Sequence, residues 1–402
     1  MIKLPQGWEW KSLGEICEVV MGQSPSGNCI FNKDKNKDLI EFHQGKIAFS
    51  DKYINKSDFV TSDVRKIAKK NSVVLSVRAP VGEVNIASED IAIGRGLCSL
   101  NGIKINNEFL FFYLLTLKKY FNDNSTGSTF KAISTKAIKE TKIPLPSLQE
   151  QERMVGILDE SFAKIDESIK ILEQDLLNLD ELMQSALQKA FNPLKDNTKE
   201  NYKLPQGWEW KSLGEICEIN PRNKIDDEIN VSFVSMNKIL DGYSNEFSYA
   251  IKKWKDVKNG FTHFKQGDIG LAKITPCFEN KKSVIFDDLE NGVGAGTTEL
   301  HVIRAVDNVI SKFLLWFFKT EKFIQNGILN MTGATGHKRI PKDFIKNLQI
   351  PLPPLQEQEQ IASHLDELSS HVKNLKQNYQ AQIKNLQELK KSLLDKAFQG
   401  RL

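Results

Sequence analysis

The 402-residue chain is 40% hydrophobic and 26% charged, the balance of an ordinary soluble globular protein, which argues against wholesale disorder. Its most apolar run, Phe109 to Leu117, reads as a buried helix and is too short to span a bilayer, which takes ~20 residues. Net charge is only +4, a value that hides an uneven distribution.

Residues 1–146 carry +6, residues 147–191 carry −6, residues 192–353 carry +3 and residues 354–402 carry +1. The basic excess therefore lies in two segments that read as globular, and it fits a nucleic-acid surface there. The opening MIKLPQGWEW lacks the basic start and apolar core of a secretory signal. Five cysteines (Cys17, Cys29, Cys98, Cys217, Cys277) include no CxxC pair, and the six histidines show no metal spacing. Both facts speak against a disulfide framework or a zinc site and suit a reducing cytoplasm.

The chain is written twice. KLPQGWEWKSLGEICE at 3–18 returns letter for letter at 203–218, and IPLPSLQEQE at 143–152 returns as IPLPPLQEQE at 350–359. Ser185, Lys189, Ala190 and Phe191 recur as Ser392, Lys396, Ala397 and Phe398. Between these anchors only a skeleton persists, with Gly94 and Gly96 against Gly294 and Gly296, and Thr126-Gly127 against Thr332-Gly333. The expected organisation is a globular head at 1–146, a long helix at 147–191, a polar linker at 192–202, a second head at 203–353 and a second long helix at 354–402.

Within each head, Val73–Val77 and Asp268–Ala272 read as strands, and Phe109–Tyr120 and Lys312–Phe323 as helices, so each head is an α/β (α+β) unit. The first long helix begins with a capping-box pattern, Ser147 with Glu150. Its apolar residues step by four and three along Leu158, Phe162, Ile165, Ile169, Leu172, Leu176, Leu179, Met183, Ala186 and Ala190, the heptad seam of a coiled coil. The second runs from Pro354 to Gly400 with a seam at Leu365, Leu368, Val372, Leu375, Tyr379, Ile383, Leu386, Leu389 and Leu393. A rod of 45 residues, ~67 Å at ~1.5 Å each, needs a partner along such a seam. Antiparallel pairing within one chain, giving a pseudo-two-fold arrangement, is the expected solution. Docking of each helix on its own head, or dimerisation of two chains, are the alternatives.

These residues resemble a known family. PQGWEWKSLGEI, at Pro5–Ile16 and Pro205–Ile216, resembles the start of each target-recognition domain in the specificity subunits of Type I restriction-modification enzymes. IPLPPLQEQEQIASHLDE (Ile350–Glu367) and its twin at Ile143–Glu160 resemble the start of that family's spacer helices. Gly22-Gln23-Ser24-Pro25 and Thr275–Asn280 look like further family segments, and the resemblance covers nearly the whole chain in the family's order. It implies a subunit that reads double-stranded DNA and holds two modification (methyltransferase) subunits, which two restriction subunits can join. S-adenosylmethionine, ATP and magnesium are then expected on those partners and none in this chain. Two diverged heads on a rod imply a bipartite, non-palindromic target with half-sites about one turn, ~34 Å, apart. A specificity subunit of a related multisubunit system that cuts beside its site shares this layout.

Catalytic motifs are missing from the sequence. Asn220-Pro221 is followed by Arg222, which breaks the Asn-Pro-Pro-aromatic pattern of adenine methyltransferases. Gly292–Gly296 reads as a turn, and Gly333–Lys338 fails the spacing of a phosphate loop. No metal site is expected. Base reading favours Arg or Lys on guanine and Asn or Gln on adenine. The candidate DNA contacts are therefore Gln23, Ser24, Arg78, Arg95, Thr126, Ser128 and Lys131 in the first copy. In the second copy they are Arg222, Asn223, Lys273, Thr335, His337, Lys338 and Arg339. For the Thr-Gly loops at Thr126–Lys131 and Gly333–Arg339, a solvated turn before the head's last strand is the alternative reading. Trp8, Trp10, Trp208 and Trp210 recur in identical contexts, so they read as packing residues rather than base-stacking ones. A coiled-coil scaffold without a DNA role, and an enzyme with a site diverged past recognition, are the competing classes.

Overall fold

The computed structural model describes residues 4–35, 38–127, 131–191, 204–334 and 336–402. In chain order the first copy forms β1 (Glu9–Ser12), α1 (Leu13–Ile16), β2 (Cys17–Met21), β3 (Ile30–Asn32), β4 (Ile40–His43), β5 (Phe59–Thr61), β6 (Ile67–Ala68), β7 (Val73–Ser76), β8 (Val84–Ile86), β9 (Ile91–Ile93), β10 (Leu97–Gly102), α2 (Asn107–Thr116), α3 (Lys118–Asp123), α4 (Thr135–Glu140), β11 (Lys142–Leu145) and α5 (Leu148–Phe191). The second forms β12 (Glu209–Ser212), α6 (Leu213–Ile216), β13 (Cys217–Ile219), β14 (Asn230–Val234), β15 (Ala250–Lys253), α7 (Trp254–Val257), β16 (Thr262–Lys265), β17 (Ile269–Ala272), β18 (Ser283–Ile285), β19 (Val293–Gly296), β20 (Leu300–Ala305), α8 (Ser311–Phe318), α9 (Glu321–Asn330), α10 (Lys342–Asn347), β21 (Gln349–Leu352) and α11 (Leu355–Ala397). The chain divides into two compact units, Met1–Ile171 with Ala381–Leu402, and Leu172–Gln380.

In the first unit, β1 pairs antiparallel with β11, so the repeated Glu-Trp-Lys-Ser strand is closed by the strand that enters the long helix. Ser12 and Glu15 form a reciprocal capping box over α1. A four-stranded sheet, β2-β10-β7-β8, packs on α2 and α3, whose Phe109, Phe111, Phe112 and Phe121 are buried. A five-stranded sheet, β3-β5-β4-β9-β6, holds a single parallel pair, β4 with β9. Leu394 and Ala397 of α11 complete the core, and the Phe398 ring lies edge-on to Phe109 at 5.3 Å and Tyr113 at 5.0 Å. Burial of this kind contributes about 1.5–3 kcal/mol for each large apolar side chain.

The second unit repeats the plan: β12 with β21, a capping box at Ser212 and Glu215, and a sheet β13-β20-β17-β18. Its smaller sheet is β15-β14-β19-β16, again with one parallel pair, β14 with β19. Leu179, Met183, Leu187 and Phe191 of α5 enter its core beside Phe313 and Leu314. The lysine at the end of α8 is unusual: Lys319 is fully buried, and its Nζ donates to the carbonyls of Gly242 (2.8 Å), Ser244 (2.9 Å), Lys281 (3.3 Å) and Ser283 (3.1 Å). Burial pulls its pKa down to about 7, while four convergent carbonyls favour the ammonium.

The repeated LQEQ has a structural reason. Gln151, 1% exposed, accepts from Asn106 N–H at 2.9 Å and donates to Pro146 O at 2.9 Å. Gln358, also 1% exposed, accepts from Ile310 N–H at 2.9 Å and donates to Pro353 O at 2.9 Å. One amide thus ties the start of each long helix to the head before it.

The long helices pair with each other in each unit. Lys390 of α11 pairs with Asp166 of α5 and lies 4.8 Å over the Phe162 ring, while Lys376 reaches Asp180 at 2.5 Å. Within the first unit, Met154, Val155 and Leu158 near the start of α5 share a core with Leu394 and Ala397 at the end of α11, so the helices run antiparallel there, as the seams predict.

Four expectations change. Leu375 and Leu389 are 39% and 44% exposed, and the half-buried positions beside them are Lys376 and Lys390, whose carboxylate partners lie across the helix pair. Each head helix is broken in two. Leu117, with its N–H on Leu114 O, ends α2, and Thr320 caps α9 through Phe323 N–H. Gly294 and Gly296 lie in strand β19, paired with β14 and β16, rather than in a turn; glycine suits these positions because a Cβ on Gly294 would stand 2.1 Å from Phe264 Cε2 and one on Gly296 2.5 Å from Val234 O. Only half of the Ser147 capping box forms, since Glu150 turns to Arg153 at 2.7 and 2.8 Å.

Candidate nucleic-acid interface

Strand pairing decides which candidates meet. In the first head Leu97 lies opposite Ser76, and Cys98 opposite Met21. The end of β2, the end of β7 and the start of β10 are therefore one edge of the four-stranded sheet. Gln23 and Ser24 follow β2, Arg78 follows β7, and Arg95 precedes β10. Thr126 and residues 131–133 lie on the same edge. Thr126 and Ala132 exchange backbone hydrogen bonds at 2.9 Å, Ile133 N–H reaches Val77 O at 3.1 Å, and Ala79 N–H reaches Lys131 O at 3.1 Å. Ser128 lies outside the described residues.

Three glycines let the segments cross there. A Cβ on Gly22 would stand 2.1 Å from Gly94 O, one on Gly94 2.3 Å from Gln44 Oε1, and one on Gly96 2.5 Å from Gln44 O. Ser24 Oγ donates to Gln44 Oε1 at 2.8 Å and accepts from Arg95 N–H at 3.3 Å. Gln44, at the end of β4, joins the cluster although nothing in its sequence context marks it. Its signal is indirect, in the glycines it lies across. Gln23, Arg78, Arg95 and Lys131 are exposed, and their side chains make no hydrogen bond or ion pair with other described residues.

The second head brings its candidates to the same edge, since Ala272 lies opposite Leu300 and Ile219 opposite Ile303. Lys273 follows β17 and accepts Ile340 N–H at 2.9 Å, while Thr275 N–H reaches Lys338 O at 3.1 Å. This lashes the Thr332–Arg339 hairpin to the strand end, with Thr332 and Arg339 exchanging bonds at 2.9 and 2.8 Å. His337 and Lys338 are exposed on its second arm, and Thr335 lies outside the described residues.

Other candidates are held by the fold. Arg339 forks onto Glu299, 2.8 Å at each contact, and this guanidinium keeps the Glu299 carboxyl below its ordinary pKa. Arg222 donates to Phe261 O at 3.1 Å. Asn223 donates to Phe264 O at 2.9 Å and accepts from Arg304 at 3.2 Å, and Arg304 in turn grips buried Asp268 with two 2.8 Å bonds. His301 bridges to the hairpin through Nε2 and Ile340 O at 2.8 Å, and burial keeps its pKa low. The repeated tryptophans sit at the helix side. Trp208 is buried and donates to Glu357 at 3.0 Å, Trp8 packs on the first core, and Trp210 is 48% exposed.

Among the described residues the first sheet edge thus offers Gln23, Arg78, Arg95 and Lys131 without side-chain partners, and the second exposes His337 and Lys338 on the same frame, the arrangement of a duplicated nucleic-acid reader. The chain belongs to the family described as the Type I restriction modification DNA specificity domain, whose model matches residues 5–176 and 205–385. It is 45% identical over 218 residues to the Type I restriction enzyme EcoAI specificity subunit of Escherichia coli, an alignment that covers 53% of this chain and 37% of that subunit. Over its full length it is 24% identical to the MjaIX specificity subunit of Methanocaldococcus jannaschii, covering 94% of it. Matches to the EcoAI, EcoEI and MjaX subunits span 33–43% of those relatives' lengths. Two solved structures share the fold along the whole chain at 22% identity. One is a chain from a study of assembly and conformational transition in a type I R-M system, covered in full with a TM-score of 0.77. The other is the HsdS subunit from Thermoanaerobacter tengcongensis, 98% covered with a TM-score of 0.59. Among the described residues no helix is long and apolar enough to cross a membrane.

Proposed function

We propose that the chain is the DNA-reading subunit of a type I restriction-modification system in the cytoplasm, recognising a bipartite, non-palindromic target in double-stranded DNA. On this reading it has no catalytic centre and holds two modification subunits, which two restriction subunits join. S-adenosylmethionine, ATP and magnesium work on those partners. The observation that carries the reading is the sheet edge repeated in both heads, with the same frame beneath it and different side chains on it: Gln23, Arg78, Arg95 and Lys131 in one, Lys273, His337 and Lys338 in the other. Cations in such places neutralise phosphates, and divergent amides and guanidiniums read different bases.

The test is the adenine-methylation pattern of host DNA with and without the gene, its partner genes present. The expected result is one motif of two unlike halves across a fixed gap that vanishes on deletion. An unchanged methylation pattern would overturn the reading. Replacing Lys131 and Lys338 with Ala should weaken binding to all duplexes alike and flatten its salt dependence, by about one unit of the log–log slope for each phosphate left without its cation.

A further inference from the structure

The two heads differ in almost every residue at their sheet edges, yet one device occurs in both. It lies just past the strand that makes the parallel pair, β4 in one head and β14 in the other. In the first head the Oγ of Ser24 donates to Oε1 of Gln44 at 2.8 Å. In the second the Oγ of Ser235 donates to Oδ1 of Asn237 at 2.6 Å. Gln44 and Asn237 are both exposed, and neither amide nitrogen has a hydrogen-bond partner among the described residues. The serines come from different places, one from a distant loop and one two residues away in sequence.

We propose that these serine-held carboxamides are the adenine-reading groups of the two heads, an assignment that rests on the DNA-reading function above. A hydroxyl that fixes the amide oxygen decides which way the group faces before any DNA arrives, so little rotamer freedom is lost on binding. The NH2 is then free to donate to adenine N7, and the second lone pair of the held oxygen can accept from N6–H. Gln44 has added support from its surroundings. Its side chain lies across Gly94, where a Cβ would approach Oε1 to 2.3 Å, and the neighbouring Arg95 guanidinium is exposed and has no partner among the described residues. Arginine beside an amide suits a guanine next to an adenine.

The experiment selects from a randomised duplex library with the purified full chain and compares the enriched motifs of wild type, Gln44→Ala, Gln44→Glu and Asn237→Ala. Gln44→Ala should lose about tenfold or more in preference at one base pair of one half-site and leave the other half intact. Asn237→Ala should do the same in the opposite half. Gln44→Glu should turn the preference at its position from adenine toward cytosine, whose N4 amino group a carboxylate accepts, a change that loosened packing does not produce. The base pairs of the affected half-site that keep their preference report that the mutated head is folded. Wild-type motifs from both alanine variants would overturn the assignment while leaving DNA reading in place. Failure of the wild-type chain to enrich any motif would remove the DNA-reading function itself, and this assignment with it.

Discussion

The two heads are most alike where they join the long helices and least alike at the far ends of their main sheets. At the helix side, Glu9–Ser12 meets Lys142–Leu145 in the same register in which Glu209–Ser212 meets Gln349–Leu352. Both capping boxes form, and Gln151 and Gln358 make matching pairs of hydrogen bonds. At the other side the first head crosses three segments on glycines, with a bare Arg95. The second inserts Thr297–Glu299 before β20 and ties Glu299 to Arg339. Identity of sequence follows identity of surroundings: residues that touch what the copies share are repeated, and those that face outward have drifted.

This contrast can be broken in three places. The largest effect is expected from Lys319→Met, which leaves four inward carbonyls without their donor. It should cost the second unit about 3 kcal/mol and leave the first unit unchanged, read by hydrogen exchange on peptides from each. Equal loss of protection in both units would show that the lysine is not a private feature of one head. Next come Gln151→Leu and Gln358→Leu, each costing about 2 kcal/mol through orphaned backbone groups. Because Gln358 also donates to Asn308 O at 3.2 Å, its loss should equal or slightly exceed that at Gln151, and a smaller loss at Gln358 would end the equivalence of the two copies. The smallest effect is that of Ser12→Ala and Ser212→Ala, about 1 kcal/mol each from removal of the cap. A paired thermal-melt comparison in which one is silent would mean that the boxes do different jobs.

Much of the frame is legible in the sequence because it rests on periodicity and repetition. The four-three steps of α5 point to buried positions at Leu158, Ile165, Leu179 and Met183, and all four are buried. The seam of α11 departs from its apolar pattern at Leu375 and Leu389 because an apolar count cannot see Lys376 and Lys390, which are drawn inward by Asp180 and Asp166 on the other helix. The same blindness hides Lys319, a charged residue whose partners are backbone carbonyls rather than a recognisable side chain. At the candidate site, type and spacing find loops that strand pairing does gather on one edge. They cannot show that Asn223 and Arg339 are engaged inside the fold, or that Gln44 arrives from a strand about fifty residues before Arg95. Such meetings are set by sheet register, which diverged segments carry without any local mark.

The division of the helices between the units also orders events as the chain is made. Leu172–Gln380 is one uninterrupted stretch, whereas the other unit needs Leu394, Ala397 and Phe398 to close over Phe109 and Tyr113. At ~5–20 residues per second of synthesis, the head that emerges first waits on the order of ten seconds or more for the side chains that seal it. The earlier-made half is therefore completed last: its aromatic core closes only with side chains from the final turns of α11.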